Sequence, residues 1–227
     1  MGKEKGKDIL YSLTKAGIGA IPLVGAPASE LLQLIVTPPI EKRRSKWMLK
    51  IGEKIKKLEE NNIDIKELEN NEVFIDVVLQ TTQQALKTSQ NEKIEYYQNA
   101  ILNSAIGENP NLSEIQIFLN FVSNFTVWHI KILKLFDNPK KWFEEQNKEP
   151  PSFLGGGLSD IITYSYPELK EQKEFYNLIW RDLKRAGLHN TAELNGMMTS
   201  SGLFAMRTTA FGKKFLKFVA ENPFDKS

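Results

Sequence analysis

The sequence contains no cysteine. This absence excludes disulfide frameworks, thiolate nucleophiles, iron–sulfur clusters and cysteine-type zinc sites. Histidine is almost as rare, because His129 and His189 are the only two. A metal site built on them would need several carboxylates as well, and the sequence arranges none for that purpose. We therefore expect no metal and no other cofactor. A chain without cysteine suits the reducing cytoplasm, which is where we expect it to act.

Signatures of common enzyme classes are also missing. Gly17, Gly19 and Gly25 lack the spacing of a phosphate-binding loop, and no Gly-Lys-Ser/Thr follows them. The chain has no Gly-x-Ser-x-Gly, no His-Glu-x-x-His and no kinase motif set. Paired carboxylates such as Glu59 and Glu60 belong to polar faces, away from the apolar surroundings that tune a general acid. We therefore predict that the protein is not an enzyme.

The chain shows little excess of charge of either sign. Its 30 Lys and Arg residues nearly balance 28 Asp and Glu residues, which leaves a net charge of +2. This balance argues against a general nucleic-acid coat, so any anionic partner must meet a local basic cluster. With 41% hydrophobic residues, the chain can bury a substantial core.

The first apolar stretch is broken by glycine and proline. Residues 16–29 carry no charge, but Pro22 and Pro27 interrupt them and Glu30 follows. Uncharged runs this short pack inside proteins more often than they span membranes. We expect this stretch to pack against neighbouring helices. The alternative is that residues 16–40 enter a membrane after activation, with the protein otherwise cytoplasmic.

Helical periodicity dominates the rest, which predicts a mainly α fold: a multi-helix bundle with a small C-terminal winged-helix-like unit. Apolar spacing, caps and breakers predict helices at residues 3–20, 28–36, 37–60, 70–89, 89–105, 113–137 and 168–186, and from residue 209 onward. The sequence Ser89-Gln90-Asn91-Glu92 has the spacing of a capping box.

A Pro-then-Gly segment suggests a division into domains. We predict a helical bundle at residues 1–146, a linker at residues 147–158 and the winged-helix-like unit at residues 159–227. In the last unit, a helix is followed by Gly-Leu, an irregular or hairpin segment and a Thr-x-x-Gly helix start. Residues 203–206 are the predicted short strand of this unit. That order is similar to the end of winged-helix domains.

Two basic clusters are candidate contacts for an anionic partner. They consist of Lys42, Arg43, Arg44, Lys46 and Lys50 in the first half of the chain, and Arg181, Lys184 and Arg185 in the second. The first could meet phosphates or anionic lipid, and the second could enter a DNA groove. For the first cluster an ordinary solvated helix face is the favoured interpretation, and acidic residues interleaved with the second cluster weaken a DNA-binding surface. We predict that His129 is a hydrogen-bonded core residue and that His189 bonds helix-terminal carbonyls.

Four stretches carry a family resemblance. They are AIPLVGAPASELLQLIVTPPIEKRRSKW at 20–47, KTSQNEKIEYYQNAILNSA at 87–105, FLNFVSNFTVWHIKILKLFDNP at 118–139, and DLKRAGLHN with RTTAFGKKFLKFV at 182–190 and 207–219. In these stretches the chain resembles the Abi-alpha (abortive infection alpha) family. The resemblance implies a bacterial, mostly helical protein linked to abortive infection by phage. It transfers no catalytic residue.

The leading hypothesis is therefore a non-enzymatic bacterial anti-phage protein that acts through protein contacts, as effector or as sensor. It predicts an apolar groove or an oligomer surface, with a phage or host protein, or a second copy, as partner. Two alternatives stay open: a membrane-perturbing effector that uses residues 16–40, and a DNA-binding winged-helix regulator. The even charge balance makes nucleic acid the less favoured partner.

Overall fold

The computed structural model describes residues 26–106, 110–152, 155–191 and 193–224, with the backbone alone for residues 26–38. The helix predicted at residues 3–20 lies outside this part of the chain. So does the predicted packing of the apolar stretch that begins at residue 16. Both stay predictions.

The fold is mainly α, as predicted. Within the described ranges, eleven α-helices and one two-stranded sheet make up the regular structure. The helices are α1 Ala26–Glu60, α2 Ile65–Leu68, α3 Glu72–Lys87, α4 Asn91–Ala105, α5 Leu112–Asn124, α6 Val127–Asp137, α7 Pro139–Glu145, α8 Leu158–Ser165, α9 Lys173–Arg185, α10 Ser200–Leu203 and α11 Ala210–Ala220. A 3₁₀ helix, Pro167–Leu169, follows α8.

The chain forms two compact units, residues 1–50 and residues 51–227. The described part of the first unit is the first portion of α1, in which Trp47 is buried while Met48 and Leu49 are exposed. The second unit contains every other element. The linker predicted at residues 147–158 lies inside this second unit.

Helix α4 occupies the centre of the second unit. It packs against α3, α5 and α11, and eight of its 15 residues are buried. The Asn103 amide donates hydrogen bonds to the carbonyls of Phe218 and Glu221, at 3.0 and 2.9 Å. Because the last carbonyls of a helix have no partner within it, this amide satisfies the end of α11. Helices α3 and α11, which are far apart in the sequence, therefore pack on the same central helix.

The helix predicted at residues 113–137 is two helices. The chain leaves α5 at Phe125, whose ψ of 149° is extended, and starts α6 after Thr126. Asn111 and Glu114 form a reciprocal capping box at the start of α5, with N–H to oxygen distances of 2.9 and 3.2 Å. The apolar stripe continues across the break, which is why periodicity alone does not reveal it.

Two other predicted helix starts differ from the structure. The break expected before Thr37 is absent, because α1 runs through Pro38 and Pro39. The φ angle of proline is compatible with a helix. The free-energy cost of the two prolines therefore comes from the missing N–H donors and from crowding between each ring and the preceding turn. The capping box predicted at Ser89 is wrong: the cap of α4 is Gln90, and its side chain makes no capping bond.

The strand predicted at residues 203–206 is also wrong. Leu203 ends α10, whose cap is Thr199, and residues 204–206 are irregular, with a turn at Phe204 and a bend at Ala205. The two-stranded sheet instead pairs β1, Gly155–Gly156, with β2, Met198–Thr199, in antiparallel register. The partner of β2 is thus a pair of glycines far back in the sequence, rather than the second arm of a hairpin.

Two glycines shape the junction between α9 and α11. Gly187 has φ of +71°, and the Leu188 N–H donates to the Leu183 carbonyl at 3.0 Å, so the left-handed residue ends α9. As predicted, Thr209 caps the last helix, accepting from the Gly212 N–H at 3.0 Å. A Cβ at Gly212 would collide with the Leu188 carbonyl oxygen.

Replacing Gly212 by alanine should lower the free energy of unfolding by about 1–3 kcal/mol, because overpacking forces backbone to move. The matched control is Gly52→Ala in α1, where a Cβ meets nothing within 4 Å. That change should raise the free energy of unfolding by about 0.5–1 kcal/mol through helix propensity. Denaturant titration followed by circular dichroism measures both. Equal effects at the two positions would contradict this account of the junction.

Candidate protein-binding groove

Three helix ends bring α1, α2 and α3 together. After α1, Asn62 adopts a left-handed φ of 62°, and the Ile63 N–H donates to the carbonyl of the buried Leu58 at 3.0 Å. Asp64 then caps α2, accepting from the Lys66 N–H at 2.8 Å. Asn71 caps α3 in the same way. Side chains therefore specify both turns, and the walls that these elements form are positioned by local sequence.

Helix α3 is apolar on two sides. Its first side consists of Phe74, Val77, Thr81 and Ala85, which are buried. Helix α3 packs on α4 and α5, and helical spacing places these four positions along one stripe. The second side contains Ile75, Val78 and Leu79, which are half-buried or exposed. An amphipathic helix normally has a single apolar side, which packs on the core. Packing within the fold does not account for a second apolar side that stays partly exposed.

The second side of α3 forms one wall of a groove of about 270 Å³. The groove is lined by Ile55, Ile65, Leu68, Glu69, Phe74, Ile75, Val78 and Leu79. Glu69 is the one charged residue among them. Typical small-molecule pockets occupy roughly 300–1,000 Å³, so this groove suits a few apolar side chains better than a cofactor.

Acidic residues crowd the elements that form the groove. We call Glu59, Glu60, Asp64, Glu67, Glu69, Glu72 and Asp76 the acidic margin; all seven are exposed. Between residues 59 and 86 the only basic residue is Lys66. Like charges concentrated around a low-dielectric surface attract counter-charged partners. The groove is therefore an apolar site in an acidic surrounding.

A second depression of about 290 Å³ adjoins the groove. It lies between α3 and α5 and shares Leu79, which is 58% exposed. Leu112, 42% exposed, lines its far side, but Gln80, Gln83 and Gln116 make it more polar. A partner that covers Leu79 would therefore contact both depressions.

A larger cavity of about 560 Å³ is a weaker candidate. It lies between the start of α5 and the end of α11, and its charged groups already have partners. Lys214 Nζ lies 3.0 Å from Glu114 Oε1, and this contact lowers the pKa of the Glu114 carboxyl. The Asn103 amide there is used to cap α11.

His129 holds the start of α6, which confirms it as a hydrogen-bonded core residue. Its Nδ1 accepts from the Thr126 N–H at 3.1 Å and lies 2.9 Å from the Thr126 hydroxyl. Its Nε2 lies 3.7 Å from Asp182 Oδ2, which is beyond hydrogen-bond distance. A general base needs a nitrogen lone pair that is free to accept a proton, and the Thr126 N–H already occupies the lone pair of Nδ1. The geometry is that of a helix cap.

His189 is also structural. Its Nε2 lies 2.8 Å from the Trp180 carbonyl oxygen, and its Nδ1 accepts from the Thr191 N–H at 3.2 Å. The ring stacks on the Trp180 indole with centroids 3.8 Å apart. The prediction that His189 bonds helix-terminal carbonyls is only partly correct: His189 contacts a single carbonyl, that of Trp180, which lies five residues before α9 ends.

The candidate anion contacts lie on two helices. The set Lys42, Arg43, Arg44, Lys46 and Lys50 belongs to α1, and the set Arg181, Lys184 and Arg185 belongs to α9. All are exposed except Arg43, which is half-buried. Arg185 pairs with Asp182 at 3.7 Å. That these sets contact an anionic partner stays a prediction.

The part of the chain that the structure describes contains neither a candidate metal-binding cluster nor a helix suited to crossing a membrane. No group of three or more His, Asp and Glu side chains there could hold a metal ion. None of the helices in that same part is long and apolar enough to cross a membrane.

The sequence predicts an apolar groove or an oligomer surface, but it does not predict which residues form the groove. Helical periodicity by itself places Val78 on the same side of the helix as Phe74, Val77, Thr81 and Ala85, whereas Val78 lines the groove. The signals that could have identified it are the spacing of Ile75, Val78 and Leu79, and the acidic run that follows residue 58. Both are local, and neither shows which side of α3 the core occupies.

Lowering the pH from about 7.5 to about 5.5 should reduce the free energy of unfolding. Burial is the main cause that lowers the pKa of both His129 and His189. The unfolded chain therefore binds protons at a higher pH than the folded chain does, and stability present above the unfolded histidine pKa is lost as the pH falls. Denaturant titrations across this range measure the slope. Replacing either His129 or His189 by Gln should partly flatten the dependence of the free energy of unfolding on pH. An unchanged slope in the double variant would contradict the assignment of this dependence to the two histidines.

Comparison of the chain with protein-family models, with curated proteins and with solved structures found no match. The Abi-alpha family membership that the sequence suggests therefore stays a prediction.

Proposed function

We propose that this protein is a non-enzymatic bacterial anti-phage protein that acts through protein contacts, as effector or sensor, by binding a basic amphipathic helix in the groove of α1, α2 and α3. The observation that carries the proposal is the partly exposed apolar side of α3 beside the acidic margin. The link to phage defence rests on the resemblance of the sequence to the Abi-alpha family.

The shape and charge of the groove favour a helical partner. A groove of about 270 Å³ takes two or three apolar side chains, which an amphipathic helix presents at positions i, i+3 and i+4. The acidic margin attracts Lys and Arg beside those anchors and raises the rate of encounter. An acidic or uncharged helix would lack this attraction. The groove therefore selects its partner by charge as well as by shape.

The size of the groove predicts a reversible contact. Burying one leucine contributes about 1.5–3 kcal/mol, and association costs several kcal/mol in lost freedom. Two or three anchors assisted by surface charge then leave a net binding free energy of about 4–5.5 kcal/mol, which corresponds to a Kd on the order of 0.1–1 mM. Such an affinity suits a contact that forms when a partner becomes abundant or exposed during infection.

The finer description of residues 159–227 as winged-helix-like is also a proposal. Its support is the order of α9, the Gly187 stop and the Thr209-capped α11. The pairing of β2 with Gly155–Gly156 departs from a hairpin wing. Acidic residues also alternate with basic ones along α9, which weakens a DNA-binding surface. The protein-contact proposal is therefore preferred over DNA binding.

A designed basic helical peptide with two leucine anchors should bind the full-length chain, and Leu79→Glu should weaken binding on the order of tenfold, because it places a charge on the apolar surface. The matched control is Leu178→Glu on α9, since Leu178 is 45% exposed. Fluorescence anisotropy with the labelled peptide measures the affinity. A peptide whose Lys residues are replaced by Glu should not bind. Equal binding by both peptides would contradict charge selection.

Expression of the chain in a phage-sensitive bacterial host should reduce phage plating for at least one phage of a broad panel. Leu79→Glu should abolish that protection while Leu178→Glu keeps it, because only the first change reaches the groove. Plaque counts, with protein level and circular dichroism as controls, check both. Absence of protection across the panel would remove the defence function. Protection that survives Leu79→Glu would remove the groove from it.

A further inference from the structure

We propose that a second copy of this chain supplies a helix for the groove, through residues 42–50 of α1, which we call the basic segment. This inference rests on the proposed function, because it takes the groove to bind a basic amphipathic helix, and it names one such helix.

The basic segment has the two features that the groove requires. It is helical, and its neighbouring apolar side chains Met48 and Leu49 are 58% and 71% exposed among the residues that the structure describes. Lys42 and Lys46 precede Leu49 by seven and three positions, which places them on the same helix face. Exposed apolar anchors on a basic helix are unusual when they have no partner.

The charges of the two surfaces are opposite. The basic segment contains five Lys and Arg residues and no acid, whereas residues 59–76 contain seven Asp and Glu residues and one lysine. Contact between copies therefore brings a compact positive surface against a compact negative one. At physiological ionic strength such attraction acts over about 8 Å, so it steers the anchors towards the groove. One chain carries both halves of the interaction.

Self-association of this kind has a functional consequence. If each copy supplies its basic segment to the other, the assembly closes as a dimer; if the exchange is one-way, it extends. In either form the groove is occupied, and an outside basic helix has to displace the segment. Self-association would then set how much partner is needed to open the groove.

The test is sedimentation equilibrium of the full-length chain from about 1 µM to about 1 mM at low salt. We expect the mass to rise above the 25.9 kDa of one chain as concentration increases, and to fall back with added salt. Leu49→Glu should raise the dissociation constant on the order of tenfold. Leu178→Glu is the matched control and should leave it unchanged.

A charge exchange keeps the test independent of any one variant. Two double variants are compared: one carries Lys42→Glu with Lys46→Glu, and the other carries Glu69→Lys with Glu72→Lys. Each should self-associate weakly alone, and the two should associate more strongly when they are mixed. A labelled peptide of residues 39–50 should bind the chain and lose binding to Leu79→Glu. A monomer at every concentration, or association that Leu49→Glu leaves intact, would overturn the inference.

Two further arms separate the possible failures. If the chain stays monomeric but the 39–50 peptide binds anionic phosphatidylserine vesicles, the segment contacts lipid and the inference is wrong. If the chain stays monomeric while the designed basic peptide still binds at Leu79, the inference fails and the proposed groove stands. If self-association occurs but Leu79→Glu leaves phage protection intact, the inference stands and the proposed function fails.

Discussion

The packing of the second unit and the position of the groove both depend on helix α3, which has one buried apolar side and one partly exposed apolar side. Phe74, Val77 and Ala85 are buried with the rest of the inner stripe of α3, which packs on α4 and α5. That packing leaves Ile75, Val78 and Leu79 on the outside, and among the residues the structure describes they are only partly covered. A helix that satisfied the core alone would carry polar residues at those positions. The described part of the chain therefore leaves this extra apolar side partly exposed, and the proposed protein contact rests on that observation.

Helix α4 supports the groove, because it packs both on the groove wall and on a helix from the far end of the second unit. It packs against α3, which forms the groove wall, and against α11, which is the last helix that the structure describes. Asn103 binds the terminal carbonyls of α11, and Phe118 packs its ring 5.4 Å from that of Phe215. A binding surface is effective when the elements beneath it are fixed, because little ordering is then required on association.

The sequence predicts the class of fold and several helices well, because periodic apolar residues and caps are local signals. Residues 70–89 were predicted as a helix and α3 is Glu72–Lys87; Thr209 was predicted as a cap and is one. The break at Phe125 was missed because apolar residues continue through it. The pairing of Gly155–Gly156 with Met198–Thr199 was missed because glycine carries no strand signal and the partners are distant. The position of the groove was missed for the related reason that burial of Phe74 and exposure of Leu79 depend on which side of α3 is packed against α4.

The most direct test places a photoreactive amino acid at position 79, in cells that the protein protects from phage. The account predicts a cross-link during infection to a helical peptide with Lys or Arg beside its apolar anchors, and none from the same amino acid at position 178. A cross-link from both positions alike, an acidic peptide at position 79, or no cross-link while protection persists would contradict the claim that the groove is where this protein acts.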